Sequence, residues 1–176
     1  IRTNSDGDTL WTRSFGGSIG DEEGYSVQQT GDGGYIISGY TNSFGAGNDD
    51  IYLIKTDSTG NLSWSKTYGG AEFEYGLSVV QNSSGGYVVT GNFNSFGATT
   101  IDVYLIRTDT NGNIIGFMKT FGSSADSTSD DFSLSIIQTS DGGYIIAGYS
   151  RSFGAGGFDV FLIKADSTGE SDINGC

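Results

Sequence analysis

Alternating amide and acidic side chains near the start of the chain form its clearest candidate for chemistry. Asn4, Asp6 and Asp8 alternate as oxygen ligands do at the start of many calcium-binding loops. The glutamate that would complete such a loop is absent, and β-patterned segments rather than helices flank the turn. Two interpretations stay open: a weak Ca²⁺ site, and a turn in which Asn4 accepts hydrogen bonds from backbone N–H groups. We expect no obligatory cofactor.

Other acidic residues recur at fixed places along the chain. One set stands just before a β-patterned segment and could either line a rim or tie down a loop through side-chain-to-backbone hydrogen bonds: Asp50, Asp102 and Asp159. A second set could supply the paired carboxylates of a glycosidase, but we expect it to form a solvated acidic rim: Glu22, Glu23, Glu72 and Glu74.

The composition excludes several common functions. Histidine is absent, so Ser-His-Asp and Cys-His catalysis and histidine metal sites are excluded. A net charge of −13 argues against nucleic acids as partners. The sequence contains no apolar run of about 18 residues, so we do not predict membrane insertion. The single cysteine, Cys176, has no partner within the given sequence and could pair with another chain or with residues beyond its end. We therefore predict that the chain has no catalytic residues and is not an enzyme.

A threefold internal repeat positions all of these residues. The segment 33–39, GGYIISG, returns as GGYVVTG at 85–91 and as GGYIIAG at 142–148. The units are approximately 1–57, 58–109 and 110–169, followed by a tail at 170–176. Each unit holds four short runs rich in Val, Ile, Tyr, Phe and Thr, bounded by turn residues. The repeat predicts an all-β fold of four-stranded antiparallel sheets.

The order of strands within one sheet follows from the same pattern. We expect the run 26–30 to be innermost, 35–40 second and 51–56 third, with 62–68 from the next linear unit outermost. Two repeated sets remain ambiguous. Glutamines on the innermost run could face a ligand in a channel or bond to neighbouring sheets: Gln29, Gln81 and Gln138. Aromatic rings could pack between sheets or stack on sugars: Phe44, Phe96 and Phe153.

A turn followed by an aromatic residue carries the chain's resemblance to known proteins. The segment 59–64, TGNLSW, resembles the tryptophan-docking motif of quinoprotein-like propellers. It lies where sialidase-type propellers carry an Asp box, although the Asp–Gly spacing is one residue longer. The whole unit resembles the Gly-rich β-propeller repeats of secreted, surface-attached bacterial and archaeal proteins. The resemblance implies a β-propeller in which three aromatic residues dock the blades: Trp11, Trp64 and Phe117.

The resemblance also implies a function and a location. It favours a non-enzymatic extracellular or cell-surface module for binding, adhesion or surface architecture, with a protein or a glycan as partner. The alternative is a glycan-binding or glycan-active propeller. Closed propellers have about 4–8 blades, so we expect three units to belong to a larger ring or to close one by self-association. In either case the segments Ile1 to Trp11 and Ile163 to Gly169 should pair with strands from outside the chain.

Overall fold

The computed structural model describes residues 1–95, 100–122 and 129–171, and the regular structure in these ranges is all antiparallel β. A hairpin of β1 (Arg2–Thr3) and β2 (Thr9–Trp11) comes first. The first sheet contains β3 (Glu22–Gln29), β4 (Tyr35–Thr41), β5 (Asp50–Thr56) and β6 (Leu62–Tyr68). The second contains β7 (Glu74–Gln81), β8 (Tyr87–Phe93), β9 (Asp102–Thr108) and β10 (Ile114–Phe121). The third contains β11 (Asp131–Gln138), β12 (Tyr144–Ser150) and β13 (Asp159–Ala165). The predicted all-β class is confirmed.

Each sheet is a meander whose strands pair in chain order. In the first sheet the order is β3-β4-β5-β6, so the strand taken from the next linear unit lies at the outer edge, as predicted. The first strand begins earlier than expected, at Glu22 rather than Ser26. A bulge between Gly24 and Ser26 breaks the alternation that marks a strand in the sequence. The second and third sheets bulge at the equivalent position.

The three sheets pack face to face in chain order. Strand β7 packs on β3, β4 and β5, and β11 packs on β7, β8 and β9. Each junction between two sheets encloses its own apolar core. The first core includes Ile51 and Leu53 from the back of the first sheet, with Val79 and Val89 from the front of the second. Because successive side chains of a strand point to opposite faces, the middle sheet contributes to both cores.

The N-terminal hairpin is a shortened equivalent of the two outer strands of a sheet. Arg2 lies opposite Trp11 in the hairpin, as Lys55 lies opposite Trp64 in the first sheet. The hairpin therefore corresponds to the ends of a third and a fourth strand. The described residues form this hairpin and three packed sheets without closing into a ring. Cys176 and Phe96 lie outside the described residues.

No helix in the described ranges has the length and apolar character needed to cross a bilayer.

Candidate functional site

The candidate calcium residues form a turn that organises backbone. Asn4 Oδ1 accepts hydrogen bonds from the N–H groups of Asp6 at 3.0 Å and Asp8 at 2.8 Å. Asn4 Nδ2 donates to Asp8 Oδ2 at 3.1 Å. Asp57 Oδ1 accepts the N–H groups of Thr59 and Asn61 in the same way, at 2.8 and 2.9 Å. Within the described ranges, no three acidic, histidine or cysteine side chains converge as metal ligands would.

This Asx turn occurs four times, with Asp109 and Asp166 in the last two copies. The bond from the Thr59 hydroxyl, joined by those from Asn61, lowers the pKa of Asp57 to about 2. The turns at Asp57, Asp109 and Asp166 therefore favour the charged form of these three carboxyl groups, because each carboxylate accepts several hydrogen bonds at once and its pKa is lowered.

The repeated aromatic residues connect each sheet to the turn of the next one. Trp64 lies against Gly112, where an added Cβ would come 2.9 Å from the indole ring. Its Nε1 also donates to the carbonyl oxygen of Thr110 at 3.2 Å. Trp11 covers Gly60 and Phe117 covers Gly169 in the same manner. Phe117 is buried, whereas Trp11 and Trp64 are half-buried.

The repeated glutamines bind two turns at once. Gln81 Oε1 accepts the N–H of Gly31 in the preceding sheet at 2.7 Å, while its Nε2 donates to the carbonyl of Gly85 in its own sheet at 3.0 Å. Gln138 repeats this arrangement with Ser83 at 3.0 Å and its own turn at 3.3 Å. The Gln29 side chain donates to its own turn, at Gly33, and has no second partner among the residues that the structure describes. The structure thus places two of the three glutamines across the sheet junctions.

Two acids that are distant in sequence meet at the first junction, and here the predicted solvated rim is wrong for Glu74. Glu74 and Asp50 are both buried. Glu74 Oε2 accepts the N–H of Gly70 at 2.7 Å, and Asp50 Oδ2 accepts the N–H of Ala46 at 2.7 Å. A Cβ on Gly69 would overlap Asp50 and come 2.5 Å from Glu74 Oε2. One backbone N–H donor offsets part of the lost hydration of each carboxyl group, but Glu74 Oε1 is buried without a hydrogen-bond partner among the described residues.

The second junction repeats the pair with Asp102 and Asp131, on either side of Gly122. Burial, reinforced by the nearby charge of Asp131, raises the pKa of Asp102 to about 6. Burial also raises the pKa of Asp50. Asp159 accepts the N–H of Ala155 at 2.9 Å, the counterpart of the bond that Asp50 accepts. Asp50 and Asp159 therefore tie loops through backbone bonds, and Asp50 and Asp102 each face another acid at a sheet junction.

An aromatic groove that we did not predict crosses the second junction. Phe73, Tyr75 and Phe132 line a cavity of about 200 Å³ together with two amide side chains, Asn92 and Asn94. Phe73 and Tyr75 stack with their ring centroids 6.5 Å apart. One sequence signal could have found the groove: Tyr75 and Phe132 each follow a junction acid, where the first unit has Glu23.

The aromatic residues proposed for sugar stacking lie elsewhere. Phe44 contacts Tyr52 of its own sheet at 5.8 Å between ring centroids, and Phe153 stacks on Phe161 of its own sheet at 5.0 Å. Phe44 therefore contacts its own sheet, whereas Phe153 also packs against the apolar core between the second and third sheets.

No protein-family model matches the chain, and no curated protein is significantly similar to it in sequence.

Proposed function

We propose that the chain is a stretch of β-propeller that serves as a non-enzymatic extracellular module for binding or for surface architecture. The observation that carries this proposal is the junction between sheets, which the chain builds twice from equivalent residues. In both junctions an aromatic ring covers a turn glycine, a glutamine links two turns, and two acids meet. Sheets joined by one repeated interface form a propeller when each sheet is rotated by the same angle relative to the preceding sheet.

The repeated residues support a structural role more than a catalytic one. A catalytic carboxylate pair needs two different environments that separate two pKa values. The acid pairs instead recur at both junctions and hold backbone N–H groups, as in Asp50 with Ala46 and Glu74 with Gly70. The extracellular location is part of the same proposal, and it rests on the resemblance to secreted, surface-attached repeats.

Binding to intact cells or to surface extracts tests this function. We expect a fluorescent form of the chain to bind a surface protein saturably and to leave that protein chemically unchanged. Turnover of any surface glycan or peptide by the pure chain would contradict the non-enzymatic proposal. Absence of saturable binding, together with failure to incorporate into any surface assembly, would contradict the binding and architectural roles.

The aromatic groove favours glycan binding as a second candidate. Sugars stack on aromatic faces and bond to amides, and Phe73, Phe132 and Asn94 supply both kinds of contact in one groove. A glycan array followed by titration calorimetry tests it, with the double change Phe73→Ala and Phe132→Ala expected to weaken binding at least tenfold. Phe44→Ala is the matched control, because Phe44 is a half-exposed ring outside the groove.

A further inference from the structure

Equivalent side chains on the backs of the three sheets differ sharply in exposure. Ile51 and Val103 are 2% and 0% exposed, whereas their counterpart Val160 in the third sheet is 92% exposed. Leu53 and Leu105 are fully buried at 0%, and their counterpart Leu162 is 63% exposed. The first two sheets are covered at these positions by the sheet that follows. The back of the third sheet therefore carries an apolar contact surface, Val160 and Leu162, without its cover in this chain.

The front of the first sheet shows the opposite half of the same contact. Val79 and Ile136, on the fronts of the second and third sheets, are each 3% exposed, but their counterpart Val27 is 66% exposed. Val79 and Ile136 are each covered by the preceding sheet. Hence the chain ends in two surfaces that correspond to the two sides of a junction already formed twice inside it.

We infer that a second copy of the chain places the back of its third sheet, at Val160 and Leu162, on the front of the first sheet around Val27. The inference rests on the proposed propeller architecture and names the partner. The occupant is identified by continuity with the internal junctions, because residues of the same type in the same positions already pack on each other there.

The polar contacts of the internal junctions specify those of the new one. Val79 N–H donates to Ser26 Oγ at 3.3 Å and Ile136 N–H donates to Ser78 Oγ at 3.2 Å. By the same correspondence, Val27 N–H donates to Ser135 Oγ of the second copy. Gln29 Oε1, to which no group in the described part of the chain donates, accepts the N–H of Ser140 of the second copy, as Gln81 accepts that of Gly31.

An open cleft lies between the N-terminal hairpin and the front of the first sheet, next to the surface that the incoming sheet would cover. A cavity of about 550 Å³ separates the hairpin from the front of the first sheet and is lined by Trp11, Val27 and Ile37. Strand β1 corresponds to the end of β13. It pairs with β2, and the Arg2 guanidinium also donates a hydrogen bond to the carbonyl oxygen of Ser58 at 3.1 Å. The incoming β13 therefore takes the place of β1 and pairs with β2 in the register in which β5 pairs with β6. The isolated bridge between Ser171 and Ala165 is given up in this exchange.

Sedimentation velocity over a wide concentration range tests the inference with charge-introducing variants. The unmodified chain is expected to at least double its mass as concentration rises, as a closed ring or as a growing filament, because front and back are different surfaces. Val27→Lys and Leu162→Lys should each remain monomeric when alone. Both side chains are largely exposed in the single chain, so the lysines do not disturb its folding.

Mixing the two variants provides the decisive measurement. Each variant keeps one intact surface, so an equimolar mixture should form a dimer of one copy of each. Leu62→Lys is the matched control, because Leu62 and its counterpart Ile114 are 52% and 48% exposed and neither internal junction of the described residues covers them. This variant should associate like the unmodified chain.

The outcomes separate the inference from the proposed function. If the unmodified chain stays monomeric at all concentrations while it retains β-structure and surface binding, only the self-docking is overturned. Association that survives both lysine variants overturns the assigned surfaces. Loss of surface binding in a chain that still associates overturns the proposed function and leaves the docking intact.

Discussion

Pairs of carboxyl groups at the sheet junctions are the residues with the most unusual environment. Asp50 meets Glu74 and Asp102 meets Asp131, each pair across a glycine that leaves room for both side chains. Burial disfavours the charged form of Asp102, and the nearby charge of Asp131 adds to the effect. The raised pKa of Asp102, at about 6, follows from these two causes.

Asp102→Asn tests this environment through the pH dependence of folding. The pKa of Asp102 is 3.8 in its ordinary state and about 6 in the fold. The folded chain therefore holds this proton more tightly, so its stability falls as pH rises from about 4 to about 6. Asp102→Asn removes this loss and should raise the free energy of unfolding at pH 7 on the order of 2 kcal/mol.

Urea unfolding at pH 4 and at pH 7 measures this effect. Asp109→Asn is the control, because Asp109 lies in an Asx turn where the first copy already has Asn4. Its pKa is lowered by the bond from the Asn113 side chain, so its stabilising contribution is present above the ordinary value and lost below it. An unchanged pH 4–7 slope in Asp102→Asn would contradict the junction account.

Gly112→Ala tests the docking of Trp64 on the next turn. Gly112 has a φ of +77°, and an added Cβ would lie 2.9 Å from the indole. Gly7→Ala is a matched control, because Gly7 has a φ of +88° in the equivalent turn but nothing within 4 Å of its Cβ position. The control should lose about 1 kcal/mol from backbone strain. Gly112→Ala should lose roughly 1–3 kcal/mol more from overpacking. Equal losses in thermal or urea unfolding would show that the ring makes no tight contact.

Calcium chelation tests the acidic turn at Asn4. Because Asn4 Oδ1 already accepts two N–H bonds, we expect EDTA to leave the melting temperature unchanged and Ca²⁺ to act no differently from Mg²⁺. A calcium-specific rise in melting temperature that disappears in Asp6→Asn or Asp8→Asn would establish a metal site there.

At the scale of elements, each sheet is built as a meander and then tied to its neighbour by the end of its first strand. That strand ends in a glutamine next to a tight turn. The glutamine side chain bonds to the turn of the preceding sheet as well as to its own turn. It therefore fixes the position of one sheet relative to the other. The bulge in the same strand is common to all three sheets and sets its twist at the same point.

Gln81→Ala and Gln29→Ala form a matched pair that measures the link between sheets. Gln81 binds two turns, and within the described part of the chain Gln29 binds only its own. Losing the acceptor for Gly31 N–H should cost about 1–2 kcal/mol, whereas Gln29→Ala should cost less than about 0.5 kcal/mol. Chemical denaturation of the single chain at low concentration gives both values. A larger cost at Gln29 than at Gln81 would contradict the role assigned to this position.

At the scale of the whole molecule, charge opposes association and apolar surface favours it. The chain carries a net charge of −13, so two copies repel at low ionic strength. At physiological ionic strength, salt screens such repulsion between charges that are more than about 8 Å apart, and it leaves apolar contacts in place.

Adding sodium chloride should therefore strengthen self-association. Sedimentation equilibrium at increasing salt should give a dissociation constant that falls at least tenfold between low salt and about 0.5 M, where the screening length is only a few ångströms. Leu162→Lys should remain monomeric throughout, because salt does not restore its apolar surface. Dissociation on adding salt would indicate that ion pairs rather than apolar contacts hold the copies together.

The sequence by itself determined the local structure of this protein. Three copies of the Gly-Gly-Tyr turn and of the Leu-Ile-Lys/Arg strand were enough to predict the strands and their order, because alternation and turn chemistry act over a few residues. The candidate Asx turn at Asn4 was predictable for the same reason, since donor and acceptor lie within four residues.

Contacts between sheets were decided only by the tertiary structure. Asp50 and Glu74 look like solvent-exposed loop acids in the sequence, and they meet in a buried pair because two sheets face each other across Gly69. The groove of Phe73 and Phe132 is likewise formed by residues that no local pattern connects. Val27, Val79 and Ile136 occupy one repeat position, yet only Val27 is exposed. Burial at this repeat position depends on whether another sheet covers it. The repeated sequence cannot show this, because it is the same whether or not a covering sheet is present.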